Sequence, residues 1–407
     1  MIAYINAQKT EEVLSRNIFR ILPGKDSLRA ALLSGRKLRV YHGIDPTGPE
    51  LHLGHATNLI LLEKLRRLGH EAILLVGDFT ALVGDPTGKY SARVRLSRAN
   101  IEQNIKTWKN QAGKILDFEN EKNPAKILKN SAWLSKLKSR EALELLSNFT
   151  VGQMIERDMF QKRIKERSPI FLHEFLYPVF QGYDSVAMDV DIEIGGSDQL
   201  FNMGIGRVLQ RKINDREKFI IATTLLENPK TKKKLMNKSE GSYIAISDKP
   251  ENMYGKAMSL PDEIVSALLY GATHLSDVEV QEIEKKMAGG KNARDAKMKM
   301  AYELVRLYHS EKDAVRAQRD FAKTFQGGGI PQNLMSVFAK TGESLAEIVV
   351  RAGKTPNRSV FRRLVAQGAI KDAMGGEKIN GINPKFEKEI ILKIGKKIFL
   401  EIKENRQ

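Results

Sequence analysis

Residues 41–55, YHGIDPTGPELHLGH, decide how this chain is read. His52 and His55 stand three apart with Gly54 between them, and Leu59, Leu62, Leu65 and Leu68 follow before Gly69 ends the run. Leucines at that spacing lay one apolar stripe along a helix, so the H-x-G-H tetrapeptide sits at a helix mouth. Upstream, Leu38, Val40 and Tyr41 predict a short strand, and downstream Ala72 to Val76 predict another. Strands joined through a helix pair in parallel. In such sheets ligands bind beyond the carboxyl ends of the strands, where a helix N-terminus offers free N–H groups and partial positive charge to phosphate. Two imidazoles there can donate hydrogen bonds to phosphate oxygens. Gly54, lacking a side chain, lets a base or ribose come close to the backbone.

Taken alone, the tetrapeptide reads more readily as a helix entry with two surface histidines. The flanks change that reading. GIDPTGPELHLGH followed by LVGDFTALVGDPTGK at 75–89 resembles the HIGH signature region of class I aminoacyl-tRNA synthetases, specifically the tyrosyl enzymes.

With 407 residues, 42% hydrophobic and 29% charged, the chain has the length for two or three domains and the composition of a globular protein. The 67 Lys and Arg against 49 Asp and Glu leave a net charge of +18, which favours a polyanionic partner without naming it. Residues 344–407 hold 14 Lys and Arg against 7 Asp and Glu, so the C-terminal part is the more basic. The absence of cysteine excludes disulfides and thiolate metal sites. Glu11 and Glu12 interrupt the N-terminal apolar residues, no window reaches membrane-spanning length, and the default localisation is cytoplasmic.

From the N-terminus, Val13, Leu14, Ile18, Ile21 and Leu22 fall at helical spacing and predict a packing helix over 10–22, stopped by Pro23 and Gly24. Residues 77–95 carry turn signals and read as a loop on the ligand side of the sheet. Residues 97–166 read as long, charged and helical, which the resemblance makes an insertion; a solvated helical hairpin is the plain alternative. Near Phe171 the second half of the fold begins, with Tyr177, Gln181 and Asp184 on one helix face among apolar residues, which makes a pocket wall. Val190, Ile192 and Ile194 alternate as a strand that turns at Gly195 and Gly196, placing Asp198 and Gln199 past its carboxyl end. Lys218 to Thr223 predict another strand, followed by the lysine-rich KKKLMNKSEG, which by itself reads as solvated surface.

The resemblance extends over essentially the whole chain and implies an α/β fold. A Rossmann-like, parallel-sheet catalytic domain spans 1–249 with the helical insertion at about 97–166. An α-helical domain follows at 250–326, then a linker at 327–343 and a small α+β S4-like RNA-binding domain at 344–407. In that last part Val360, Leu364 and Val365 are expected to face a small core, and Arg351, Lys354, Arg358, Arg362 and Arg363 to form a basic RNA-binding face. LMNKS resembles the KMSKS loop but has Leu235 for its first lysine and Asn237 for its first serine; Lys238 and Ser239 keep the second pair.

What the resemblance implies is activation of L-tyrosine with ATP to tyrosyl-adenylate, then transfer to tRNA(Tyr). Mg²⁺ is expected on the phosphates, with no protein-bound metal. His52, His55, Lys238 and Ser239 would serve catalysis. Asp45, Thr47, Gly54, Gly196, Asp198 and Lys238 would bind ATP. Tyr41 and Asp184 would meet the phenol, Tyr177, Gln181 and Asp85 the ammonium group, with Gln199 near the reacting carboxylate. The insertion would supply a homodimer contact, and no membrane partner is expected. Two alternatives stay open: a catalytically weakened RNA-binding paralogue, which the altered LMNKS loop favours, and tryptophanyl specificity, which Tyr41 and Asp184 disfavour.

Overall fold

The computed structural model describes residues 2–87, 97–236, 242–288, 293–326, 336–395 and 398–405. It divides into two compact units, residues 1–314 and 315–407.

The first unit is built on a six-stranded sheet in the order β1-β6-β5-β2-β3-β4. The strands are β1 (Ile18–Leu22), β2 (Arg39–Ile44), β3 (Glu71–Val76), β4 (Lys126–Lys129), β5 (Ile192–Gly196) and β6 (Phe219–Thr223). All neighbours pair in parallel except β1, which runs antiparallel to β6. Val40 of β2 lies opposite Ala72 of β3 on one side and Ile192 of β5 on the other. The helix Leu53–Arg67 crosses over from β2 to β3 and buries Leu59, Leu62 and Leu65 completely. Because β3 and β5 depart to opposite sides of β2, the order of connection reverses there and opens a crevice at the carboxyl ends.

Three expectations change. Residues 18–22 are a strand: Asn17 adopts a left-handed φ of 56° and stops the helix Ile2–Ser15 two residues earlier. IFRIL is rich in β-branched and aromatic side chains and pairs with a strand about two hundred residues away, a contact that helical spacing cannot register. The 97–166 stretch is not helical throughout, because Lys126–Lys129 forms β4 parallel to β3. Four residues ending in exposed lysines are a usual design for a sheet edge, and they look like charged helix in sequence. Within the loop after β3, residues Thr80–Val83 make one helical turn.

Position 249 is no break in packing either. The helix Val265–Ala272 packs on Leu53–Arg67, inside the first unit. Arg16 fixes this join: its buried guanidinium donates to the carbonyls of Tyr270 (3.0 Å), Leu269 (3.0 Å), Thr273 (3.3 Å) and Leu275, and to Asp277 Oδ1 (3.2 Å).

The second unit holds a four-stranded sheet in the order β7-β10-β9-β8, made of β7 (Ser336–Ala339), β8 (Ile370–Asp372), β9 (Ile390–Ile394) and β10 (Ile398–Glu404). Its helices are Leu345–Arg351 and Arg358–Ala366, and Ile348, Phe361, Ile370, Leu392, Leu400 and Ile402 form the core. Residues 336–339, expected in a linker, therefore belong to the sheet: β7 pairs in parallel with β10, some sixty residues on. Of the three residues expected to face this core, Val365 is buried and Leu364 packs against it, while the fully buried Phe361 was not among them.

No described helix is long and apolar enough to cross a membrane.

Arg16→Met is expected to destabilise the chain by about 2–4 kcal/mol, because several buried carbonyls lose their donor at once. Urea unfolding checks it; a loss under 1 kcal/mol would mean that water replaces the guanidinium.

Candidate functional site

The crevice at the carboxyl ends of β2 and β5 is a cleft of about 320 Å³, and every expected catalytic, nucleotide and amino-acid residue among the described positions lines it. Lys238 and Ser239 lie outside the described residues.

At one end stand the two histidines. His52 caps the Leu53–Arg67 helix: its Nδ1 accepts from the Gly54 N–H (3.1 Å), and its own N–H donates to His55 Nδ1 (3.2 Å). The rings stack 3.8 Å apart at 19°. With Nδ1 of each ring spent as an acceptor, the neutral imidazoles carry their protons on Nε2 and present two N–H donors. Desolvation, with His52 and His42 nearby, holds His55 well below the usual histidine range, so it stays neutral. Gly54 leaves room for this stack: a Cβ there would lie 3.0 Å from the His52 ring, which would have to give by a few tenths of an ångström.

The amino-acid side is more deeply buried. Asp184, 2% exposed, accepts from Trp133 Nε1 (2.7 Å) and Asn130 Nδ2 (3.2 Å). Burial pushes its carboxyl well above the ordinary range, and those two N–H donors oppose the shift. Tyr41 Oη lies 3.0 Å from Ser185 Oγ, and burial raises its pKa, keeping the phenol protonated. Tyr177 donates to Asp45 Oδ2 (2.9 Å), whose other oxygen accepts from Thr80 (2.7 Å). Gly77 must be glycine beside this pair, because a Cβ would fall 2.0 Å from Asp45 Oδ1. Gln181 Nε2 donates to Glu193 (3.1 Å), leaving its Oε1 buried with no partner among the described residues. Asp85 accepts from Gln199 Nε2 (2.9 Å), and Gln199 in turn accepts from Asn202 (2.9 Å).

Toward the open side, Thr47 and Gly196 line the cleft and Asp198 pairs with Lys234 at 2.7 Å. Lys234, one place before Leu235, thus brings a cation into the cleft where the loop pattern has lost its first lysine. A Cβ on Gly196 would lie 2.7 Å from both Asp198 and Leu225.

The basic residues of the second unit are not all alike. Arg362 and Arg363 are exposed on the helix Arg358–Ala366, and Lys354 is half-exposed in the turn before it. Arg351 is paired with Glu343, and Arg358 with Glu347 at 3.0 Å.

Several residues that build the cleft escaped the sequence reading. Asn130 and Trp133 follow β4, and recognising that strand would have placed them at a carboxyl end. Glu193 reads as the polar member of an alternating strand, yet β5 is central and covered on both faces, so a carboxylate there needs a partner. His42, Asn58 and Thr223 join β2, β5 and β6 beneath the cleft: His42 Nδ1 donates to Ile194 O (2.9 Å) and Thr223 donates to Asn58 Oδ1 (2.7 Å).

The profile of tRNA synthetases class I (W and Y) matches residues 33–326. The chain is 39% identical to a tyrosine–tRNA ligase of Thermotoga maritima, over 96% of each protein. It is 40% identical to one of Moorella thermoacetica, over 96% of this chain and 94% of that one. In fold it is similar to a C-terminally truncated mitochondrial tyrosyl-tRNA synthetase of Aspergillus nidulans, with a TM-score of 0.65, 22% identity and coverage of 79% and 99%. A tyrosyl-tRNA synthetase of Archaeoglobus fulgidus complexed with L-tyrosine gives 0.58, 20%, 77% and 99%.

Burial lowers the His42 pKa to about 4. Unfolded, it titrates near 6.5, so between pH 6.5 and 4 the unfolded chain binds a proton that the native state refuses. The stability contribution is complete above pH 6.5 and is lost as pH falls toward 4, by roughly 3 kcal/mol. Urea midpoints across that range should fall less steeply in His42→Gln; parallel curves would place the titration elsewhere.

Proposed function

The chain belongs to the class I tRNA synthetases of the tryptophan and tyrosine group, and we infer that it acts as a tyrosine–tRNA ligase, joining L-tyrosine to tRNA(Tyr) at the expense of ATP. The observation that carries the choice of amino acid is the buried pair of Tyr41 and Asp184 in one cleft. A phenol both donates and accepts one hydrogen bond. Tyr41 supplies a donor, and each Asp184 oxygen keeps a lone pair beyond the one given to Trp133 or Asn130. Phenylalanine would leave both groups desolvated without a partner. Tyr177, Asp85 and the Gln181 Oε1 that has no partner among the described residues form the matching acceptor set for the ammonium group.

The first step needs no general base, because the nucleophile is the tyrosine carboxylate, ionised at neutral pH. It attacks the α-phosphorus of ATP; pyrophosphate leaves and tyrosyl-adenylate forms. The protein aligns the two reactants and offsets charge growing on the phosphates. His52 and His55 do this as Nε2–H donors and Lys234 as a cation, joined by Lys238. ATP enters as its Mg²⁺ complex, the metal carried by the phosphates. Asp198 meets the ribose once Lys234 moves off it toward phosphate, and Thr47, Gly54 and Gly196 frame the nucleotide. In the second step the 3′-terminal adenosine of tRNA attacks the mixed anhydride, and AMP leaves.

Residues 336–407 act as an S4-like RNA-binding domain, with Lys354, Arg362 and Arg363 facing phosphate, while Arg351 and Arg358 must first release their glutamates. The protein works in the cytoplasm as a homodimer through the inserted region.

ATP–pyrophosphate exchange with tyrosine, tryptophan and phenylalanine tests the assignment: only tyrosine should drive it appreciably. Asp184→Ala is expected to cripple exchange. Tyr41→Phe should lower tyrosine-over-phenylalanine discrimination with little change in KM for ATP. Unaltered discrimination in both variants would move the specificity pocket elsewhere.

Removing residues 336–407 should leave tyrosine-dependent exchange intact and impair tRNA charging. Equal loss of both would mean that this part supports the catalytic unit instead.

A further inference from the structure

Beneath the amino-acid side of the cleft lies a buried ion pair with no role in the reaction described so far. Lys218, just before β6, is completely buried and pairs with Glu193 of β5, which is 2% exposed. Its ammonium reaches this point because the helices His173–Ala187 and Leu200–Asn214 cross closely at Gly182 and Gly206. A Cβ on Gly206 would lie 2.5 Å from Lys218 Nζ and 2.8 Å from Ser185 Oγ. The pair does not end with itself. Lys218 Nζ also donates to Ser185 Oγ (2.9 Å), which lies 3.0 Å from Tyr41 Oη, while Glu193 Oε1 accepts from Gln181 Nε2 (3.1 Å).

The chemistry of the groups limits the direction of these hydrogen bonds. An ammonium only donates, so Ser185 Oγ accepts from Lys218 and has a single proton to give. Two oxygens lie within its reach as acceptors, Tyr41 Oη at 3.0 Å and Glu193 Oε2, already held by Lys218, at 3.4 Å. Given to Tyr41, the nearer of the two, that proton leaves the Tyr41 hydroxyl its own for the cleft. On the other arm, a carboxylate only accepts, so Glu193 takes the Gln181 amide N–H and fixes its carbonyl as the group left without a partner among the described residues.

We propose that the Lys218–Glu193 pair, acting through Ser185 and Gln181, determines amino-acid specificity by fixing Tyr41 as a donor to the substrate phenol and Gln181 as an acceptor for its ammonium. Lys218 and Ser185 are positioning residues in this scheme. The inference rests on the tyrosine pocket proposed above.

Two variants test it. Ser185→Ala removes the relay and leaves the ion pair, while the double variant Lys218→Met/Glu193→Gln removes both charges, so that neither is left buried alone. Steady-state ATP–pyrophosphate exchange with tyrosine and with phenylalanine is measured beside thermal unfolding. Ser185→Ala should lower kcat/KM for tyrosine about tenfold, the scale of one lost oriented hydrogen bond. The loss should appear in the KM for tyrosine, with the phenylalanine kcat/KM, the KM for ATP and the melting temperature close to those of the parent. The double variant should lose discrimination at least as far. If it fails to fold, Ser185→Ala decides. A parent-like tyrosine-to-phenylalanine ratio in Ser185→Ala would overturn the proposal while the pocket stands, provided the parent activates tyrosine. Equal losses for both amino acids with a lowered melting temperature would also overturn it, as mere support of the fold. A parent that activates no tyrosine would overturn the pocket and this inference together.

Discussion

Parallel pairing of β2 with β5, with His42 opposite Ile194, is the constraint from which the site follows. Two parallel strands adjacent in space but far apart in sequence send their chains to opposite sides of the sheet, and the gap left at their carboxyl ends cannot be filled by either crossover. Tyr41 to Asp45 enter the cleft from one strand and Glu193 to Asp198 from the other. The Leu53–Arg67 helix begins at the same edge, which brings His52 and His55 to the mouth.

Such a cleft requires polar groups to be buried, and the molecule meets the cost by giving its carboxylates partners. Asp184 holds two N–H donors, Asp45 two hydroxyls, and Glu193 an ammonium and an amide. Each costs several kcal/mol if left alone in the interior, and far less with its partners present. The same pairing orients the groups. A carboxylate held by an ammonium takes an amide by its N–H end, and an imidazole whose Nδ1 has accepted from a backbone N–H keeps its proton on Nε2. Pre-orientation of this kind suits a reaction that needs alignment and charge stabilisation and no proton transfer in its first step.

The described residues that line the cleft all lie within residues 1–314, whereas the exposed Arg362 and Arg363 lie on a separate small core built around Phe361 and Leu400. Among the described residues that line the cleft, Lys234 is paired with Asp198.

The sequence by itself determined the local pieces: the histidines at a helix mouth, the Tyr177, Gln181 and Asp184 face, and the glycine turn before Asp198, each a matter of neighbours within a turn or two. Periodicity and turn chemistry act over that range. Tertiary structure decided what depends on distant partners. Residues 18–22 became a strand because β6 lay beside them, Lys126–Lys129 closed the sheet against β3, and residues 336–339 joined β10. It also decided the meaning of Ser185, Glu193 and Lys218, which sequence scatters over a helix, a strand and the approach to another strand. Only when two helices meet at glycine against glycine does the ammonium of Lys218 reach the hydroxyl beside Tyr41, and close approach of backbones leaves no local periodic mark.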